Sequence, residues 1–286
     1  MSIEMRRSFG TLRMPAGFGG LLPALILVTL FFVVPVLALL LRSVTGPEPG
    51  FQNYATLLGD GTYARVFFNT FLVASVVTIV TVLVAFPVAW MLAIMPSALA
   101  SIVFGVIILS MWTNLLTRTY AWMVLLQRTG VINRTLMDIG LISTPLPLIN
   151  NLTGVTIGMV YIMLPFMILP LVGTLRAIDP MTLRAAALCG ASPFDAFCRI
   201  LLPLSLPGIA AGGLMVFVMS LGYFVTPALL GGTSNMMLAE MIAQMIQSLL
   251  NWGLGSAAAF ILLVVTMALY ALQLRLVGAG RATGGV

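Results

Sequence analysis

Apolar stretches of bilayer length alternate along this chain with short polar breaks that hold most of its charge. Leu21 to Leu41 carries no charged residue, and neither does the stretch between Arg65 and Arg118. The longer stretch holds two spans divided at Met95-Pro96-Ser97, because proline disrupts a helix interior and disfavours helix in the residue before it. Asn151–Leu175, Leu204–Leu230 and Gly255–Leu276 complete the series. Each clears the roughly 20 residues that a ~30 Å hydrocarbon core demands. The pattern predicts an all-α polytopic membrane protein with six transmembrane helices, at about 21–42, 66–94, 101–126, 151–175, 204–230 and 255–276. Tails at 1–20 and 278–286 flank them.

Composition agrees. Of 286 residues, 61% are hydrophobic and 7% charged, too little charge to cover the surface of a soluble domain. There is no histidine, and all the basic residues are arginine. Without lysine there is no Walker A phosphate loop, and without histidine no Ser-His-Asp triad or His-bound metal. A membrane-embedded enzyme has little to work with. The arginines are scattered singly, which argues against nucleic acid as a partner. Cys189 and Cys198 read as small packing residues.

The arginines also orient the chain. Arg6, Arg7, Arg13, Arg176, Arg184, Arg199, Arg275 and Arg281 fall on one side. Arg42, Arg65, Arg118, Arg128 and Arg134 fall on the other, offset by Glu48, Asp60, Asp138 and Glu240. The positive-inside rule puts both termini in the cytoplasm. Arg6, Arg7 and Arg13 before an apolar run also suit a signal peptide. That run is too long for a signal h-region and no small-residue cleavage site follows it, so it reads as a retained span.

The long polar interruption of the second half, 176–203, then faces the cytoplasm. Asp179-Pro180 is a helix start, with an acceptor side chain at the N-cap and proline where its missing N–H costs nothing. Leu183 to Leu188 is alanine-rich and strongly helical, and Gly190 ends it. Ser192-Pro193-Phe194-Asp195 repeats the start signal, with Asp195 in capping-box position. Two short helices meet at a glycine, forming a knuckle that another protein can approach.

This segment resembles the EAA loop of permease subunits of binding-protein-dependent ABC importers: Glu-Ala-Ala, three residues, Gly, nine residues, Ile-x-Leu-Pro. Ala185 and Ala186 take the alanines, Gly190 the glycine, and Ile200, Leu202 and Pro203 the end. Arg184 stands where the family usually has glutamate. Phe224-Val225-Thr226-Pro227, Asn251-Trp252-Gly253-Leu254, Trp112-Thr113-Asn114 and Tyr161-Ile162-Met163-Leu164-Pro165 are similar to stretches of its spermidine/putrescine branch. The resemblance implies a type I ABC importer permease (MetI-like) architecture. It implies a second permease chain completing the pathway and a periplasmic binding protein delivering a small solute, most simply a polyamine. It also implies two ATPase subunits gripping the knuckles, with ATP and Mg bound on those subunits and no cofactor on this chain. Another amino-containing or phosphonate solute is the alternative. A secondary transporter is a further one, although no acidic residue lies deep in a span to couple an ion.

Five further residues are candidates for the solute pathway. Arg118 lies near the outer end of its span, where it is either a pathway residue or a side chain snorkelling to headgroups beside Trp112, Tyr120 and Trp122. Glu240, Gln244, Gln247 and Asn251 share helical spacing. They form either the edge of an interfacial helix or a stripe that offers Glu240 to a cationic solute. Tyr161, Tyr223 and Phe224 present aromatic faces that hold ammonium groups by cation–π attraction, or simply pack.

Overall fold

The computed structural model describes residues 18–46 and 49–283. The tail at 1–20, apart from its last residues, lies outside that range with Arg6, Arg7 and Arg13, and so do Glu48 and residues 284–286.

The described residues are helical, and no strand occurs among them. The chain enters through α1 (Phe18–Val28), which continues through a π-helical turn, Thr29–Val33, into α2 (Val34–Thr45). Short α3 (Gln52–Gly59) leads to α4 (Gly61–Ile94), capped by Asp60, whose Oδ1 accepts from the Thr62 N–H at 2.7 Å. Pro96 ends α4. α5 (Ser97–Met111), α6 (Leu115–Leu126) and α7 (Val131–Asp138) follow, then α8 (Leu152–Ala177). α9 (Pro180–Leu188) and α10 (Pro193–Ala196) form the knuckle, and α10 runs through a second π turn, Phe197–Leu201, into α11 (Leu202–Leu221). α12 (Val225–Leu230), α13 (Leu238–Gln247) and α14 (Trp252–Thr283) close the chain.

Among the described residues five of these helical stretches are long and apolar enough to cross a membrane, six if the bent pair α5 with α6–α7 is counted as one broken span. α4, α8 and α11 form the core, with α8 innermost. α11 approaches α8 closely because it presents Gly208 and Gly212, one turn apart. A Cβ on Gly208 would lie 2.5 Å from Thr174 Oγ1, and one on Gly212 would lie 2.6 Å from Met167 Sδ. Small residues at this spacing let membrane helices pack backbone to side chain.

The structure corrects the predicted spans in three places. The span expected at 101–126 is broken at residues 112–114 and turns through 96°; Asn114 caps the new helix, its Oδ1 accepting from the Leu116 N–H at 2.8 Å. The span expected at 204–230 stops at Leu221. Gly222 ends it, and α12 begins after Tyr223 and Phe224, with Pro227 in its first turn, where no N–H is needed. No break marks the expected boundary at 203/204; the knuckle's second helix is continuous with the span. The smaller differences follow from caps: α4 begins at Gly61 rather than 66, α14 at Trp252 rather than 255, and α14 continues into the predicted 278–286 tail.

Both π turns stand directly before a proline. The Val34 N–H reaches Thr29 O ahead of Pro35, and the Leu202 N–H reaches Phe197 O ahead of Pro203. Proline lacks the N–H for the next bond, and its ring crowds the carbonyl four residues back; widening the turn by one residue relieves both without a break.

Candidate functional site: a capped knuckle and an outer polar cluster

The knuckle is held from within by its caps. Asp179 Oδ1 accepts from the Met181 N–H at 2.9 Å and starts α9. At its other end Gly190 takes φ +82°, and the Ala191 N–H returns to Ala186 O at 3.0 Å. This closure needs a left-handed residue, which glycine supplies without strain. Ser192 Oγ accepts from the Asp195 N–H at 3.1 Å and donates to Asp195 Oδ2 at 2.5 Å. Arg199 Nε lies 3.4 Å from Asp195 Oδ1.

From without, it is tied to the core. Phe197 stacks edge-on to Phe86 at 5.6 Å and lies 6.1 Å from Trp90, both on α4. Arg176, at the end of α8, donates to Leu92 O near the end of α4 at 3.2 Å. Ile200 and Leu202 are half-buried, Leu201 between them is buried, and Pro203 is exposed.

The outward face is apolar. Met181, Arg184, Ala185 and Leu188 share one stripe of α9 by spacing, and all are exposed, while Leu183 and Ala186 turn inward. Leu188 is 90% exposed, Phe194 75% and Met181 60%. Three large apolar side chains thus stand exposed on a polar segment between spans. Cys189 is exposed beside them and is not the packing residue expected; Cys198 is half-buried.

The structure brings together three of the five pathway candidates. Arg118 and Trp122 share a face of α6 by spacing, and Trp122 meets the Tyr161 ring of α8 at 5.7 Å. The Arg118 guanidinium lies within electrostatic reach of the Tyr223 phenol, at the break between α11 and α12. Beside it Thr119 Oγ1 and Thr226 Oγ1 are 3.3 Å apart and buried. Arg118 Nε is itself buried without an acceptor. Trp112, 86% exposed, stands apart from this cluster.

Phe224 and Glu240 lie elsewhere. Phe224 lines a groove of about 530 Å³ with Ile242 of α13 and Leu262 of α14. Glu240 sits in the first turn of α13, a ten-residue helix too short to span. Its carboxylate accepts from the Met237 N–H, while Oε2 is buried without a partner. Burial pushes this carboxyl above the usual carboxylate range, against the opposing effect of that hydrogen bond. The expected four-residue stripe is shorter than its spacing suggested. Gln244 and Gln247 are exposed on α13, but Asn251 lies beyond it and caps α14, accepting from the Leu254 N–H at 3.1 Å.

Two features had no forewarning in the sequence reading. Phe197 anchors the knuckle, its only signal being an aromatic on the inner side of a polar segment. Asn133 organises the segment 127–150: fully buried, it donates to Gln127 O and Leu146 O and accepts from the Leu146 N–H at 2.8 Å.

Residues 102–279 match the family described as binding-protein-dependent transport system inner membrane component. The chain is 37% identical over 218 residues to the spermidine/putrescine transport system permease protein PotB of Haemophilus influenzae, covering 76% of each chain. It is 34% identical over 246 residues to the inner membrane ABC transporter permease protein YdcU of Escherichia coli, covering 82% of this chain and 77% of that one. Among solved structures, a chain of a bacterial alginate ABC transporter, in complex with a pentasaccharide-bound periplasmic protein, superposes with a TM-score of 0.70. It covers 90% of this chain and 91% of that one, at 18% identity, a likeness of fold.

Proposed function

The chain belongs to the family of binding-protein-dependent transport system inner membrane components, and from that premise we propose that it carries polyamines inward as half of a heterodimeric pathway. It is a multi-pass inner-membrane permease subunit of an ABC importer, and transport rather than catalysis is its task. A second permease chain forms the other half, a periplasmic binding protein delivers the solute, and two ATPase subunits that bind ATP and Mg drive the cycle. Both termini then face the cytoplasm, with the knuckle.

One observation carries this reading: the exposed apolar stripe of Met181 and Leu188, with Phe194, sits on a doubly capped knuckle that is continuous with α11 and clamped to α4 through Phe197. A surface that sheds water when an ATPase docks is thereby linked to two core helices, so nucleotide-driven closure biases the helices between two arrangements. Arg184 lies in the middle of the stripe, so the group that suits it on the ATPase is a carboxylate. The cargo assignment is supported by the likeness to spermidine/putrescine permeases and by the unpaired Glu240 oxygen. A cation that reached Glu240 would restore the charge partner that burial denies it.

Purification of the tagged chain from its native membrane in mild detergent tests the assembly. An ATPase and a second permease chain are expected to come with it, and the associated binding protein is expected to hold spermidine or putrescine. Recovery of the chain without any ATPase, or solute uptake driven by a proton gradient with this chain alone in liposomes, contradicts the proposal.

A further inference from the structure

We propose that Thr70 of α4 is the positioning residue for Glu240: its hydroxyl stands in for the N-cap side chain that α13 lacks, so a core helix places the carboxyl. The inference rests on the reading above in which a cationic cargo meets Glu240, and it adds the residue through which the fold holds that group.

The start of α13 needs acceptors that its own N-cap does not offer. A helix opens with N–H groups that have no partner within it, and Ser, Thr, Asp or Asn at the N-cap ordinarily supplies one. Here the N-cap is Met237, fully buried and without a capping side-chain bond. The next N–H, that of Leu238, donates instead to Thr70 Oγ1 at 2.8 Å, in a buried site and across 168 positions of sequence. The Met237 N–H is taken by the Glu240 carboxylate, three residues on. The result is a capping box divided between two elements. Glutamate keeps its usual place at N3, while the threonine comes from α4 and serves the N1 rather than the N3 N–H.

Thr70 is built to hold that bond. Its side chain is 1% exposed, and Oγ1 donates to Val66 O at 2.7 Å, which fixes the hydroxyl and leaves its lone pairs for Leu238. One residue before it, Asn69 Nδ2 donates to Ser234 O at 3.0 Å and ties the loop ahead of α13 to the same turn of α4. Thr70 also stands at a seam. Val73 and Val77 after it belong to the main core, whereas Val66 before it packs in a second cluster with Leu57, Leu238 and Met241. Apolar contact is non-directional and tolerates small shifts of one helix on another. A buried hydrogen bond does not, because an N–H stripped of its acceptor there is strongly disfavoured. The bond at the seam therefore sets where α13 begins, and Glu240 follows two residues later with one oxygen on the Met237 N–H.

Two substitutions separate this role from packing. Thr70→Val keeps the shape and removes the acceptor; Thr70→Ser keeps the hydroxyl. In the assembled complex Thr70→Val is expected to lower Tm by at least about 2 °C. It also frees the first turn of α13, so water reaches Glu240 and the carboxyl returns toward its ordinary range. The rise in Tm that Glu240→Gln produces at neutral pH is then expected to fall below about half its size in the parent. Thr70→Ser is expected to keep both values, and Asn69→Ala, which cuts the loop tie and spares the cap, to leave the Glu240→Gln rise intact. In uptake of labelled putrescine, Thr70→Val with Glu240→Gln is expected to be no slower than Glu240→Gln alone. An undiminished Glu240→Gln rise in the Thr70→Val background overturns the proposal. So does Thr70→Ser behaving like Thr70→Val, or two uptake defects that multiply. Hydrogen exchange of the unaltered complex decides the matter even if Thr70→Val fails to assemble: the Leu238 amide is expected to exchange at least about tenfold more slowly than that of Ala239, and equal rates overturn the proposal. If Glu240→Gln leaves uptake unchanged, the cargo reading fails instead, and the Tm comparison still decides the role of Thr70.

Discussion

Phe197, in the first π-helical residue after the knuckle, meets Phe86 of α4 edge-on at 5.6 Å. The contact joins the knuckle to a core helix it does not follow in sequence. The knuckle is thus packed against α4 as well as continuous with α11.

Phe197→Ala is expected to loosen this joint. The cost to stability is about 3 kcal/mol at most, the low end for losing a phenylalanine from a core, because Phe197 is half-buried. The signature is uncoupling: ATPase subunits still bind, but hydrolysis no longer rises when solute-loaded binding protein is added. Stimulated hydrolysis equal to that of the parent contradicts the role.

Gly212→Val is expected to force α11 away from α8. The added Cβ would sit 2.6 Å from Met167 Sδ and 3.0 Å from Pro170 Cγ, and overpacking of this kind costs about 1–3 kcal/mol. A lowered Tm in detergent checks it; Gly173→Ala, inside α8 with nothing within 4 Å of its added Cβ, is the control expected not to lower Tm and to raise it slightly.

Asn133→Ala is expected to open the outer segment 127–150. It leaves the Leu146 N–H without its acceptor, at about 1–3 kcal/mol, while Gln127 O and Leu146 O each keep a backbone donor, the Gly130 and Leu148 N–H groups. Limited proteolysis from the outer side is the readout, with faster cleavage in this segment and unchanged cleavage elsewhere.

Glu240 gives a dependence on pH. Its folded carboxyl lies above the ordinary range because of burial, so the folded protein holds the proton more tightly than the unfolded chain. Stability from this group is full below the ordinary carboxylate range and is lost as pH rises through the elevated value. Glu240→Gln is therefore expected to raise Tm at neutral pH and to leave it unchanged in mild acid. If Glu240 also meets a cationic solute, the same substitution weakens uptake affinity; unchanged affinity for putrescine and spermidine removes it from the pathway.

Span number and the knuckle's caps were legible because apolar length and capping chemistry are local properties. Asp179, Gly190 and Ser192 act on neighbours within a few residues, and their roles can be read from spacing alone. The break at 222–224 was not legible, since the apolar pattern runs through it without interruption; the one at 112–114 carried a local signal in Thr113 and the capping Asn114, but not its angle. Nor was the π turn that carries α10 past Pro203 into α11 legible. The outer cluster was half legible. Arg118 and Tyr161 stood out by type, but their approach to Tyr223 depends on a bend of 96° and on a break, both tertiary facts. Phe224, adjacent to Tyr223 in sequence, faces a different groove for the same reason.

The central claim is that an ATPase drives this permease through the exposed apolar face of α9 and α10. Leu188→Asp combined with Phe194→Asp tests it most directly, because both side chains are exposed and their loss leaves the fold within about 0.5 kcal/mol. Reconstituted with its binding protein and partners in liposomes, the unaltered complex is expected to accumulate labelled spermidine or putrescine only with ATP. The double variant is expected to insert normally, to lose the ATPase on purification and to accumulate none. ATP-driven uptake by the double variant at the rate of the parent would contradict the account.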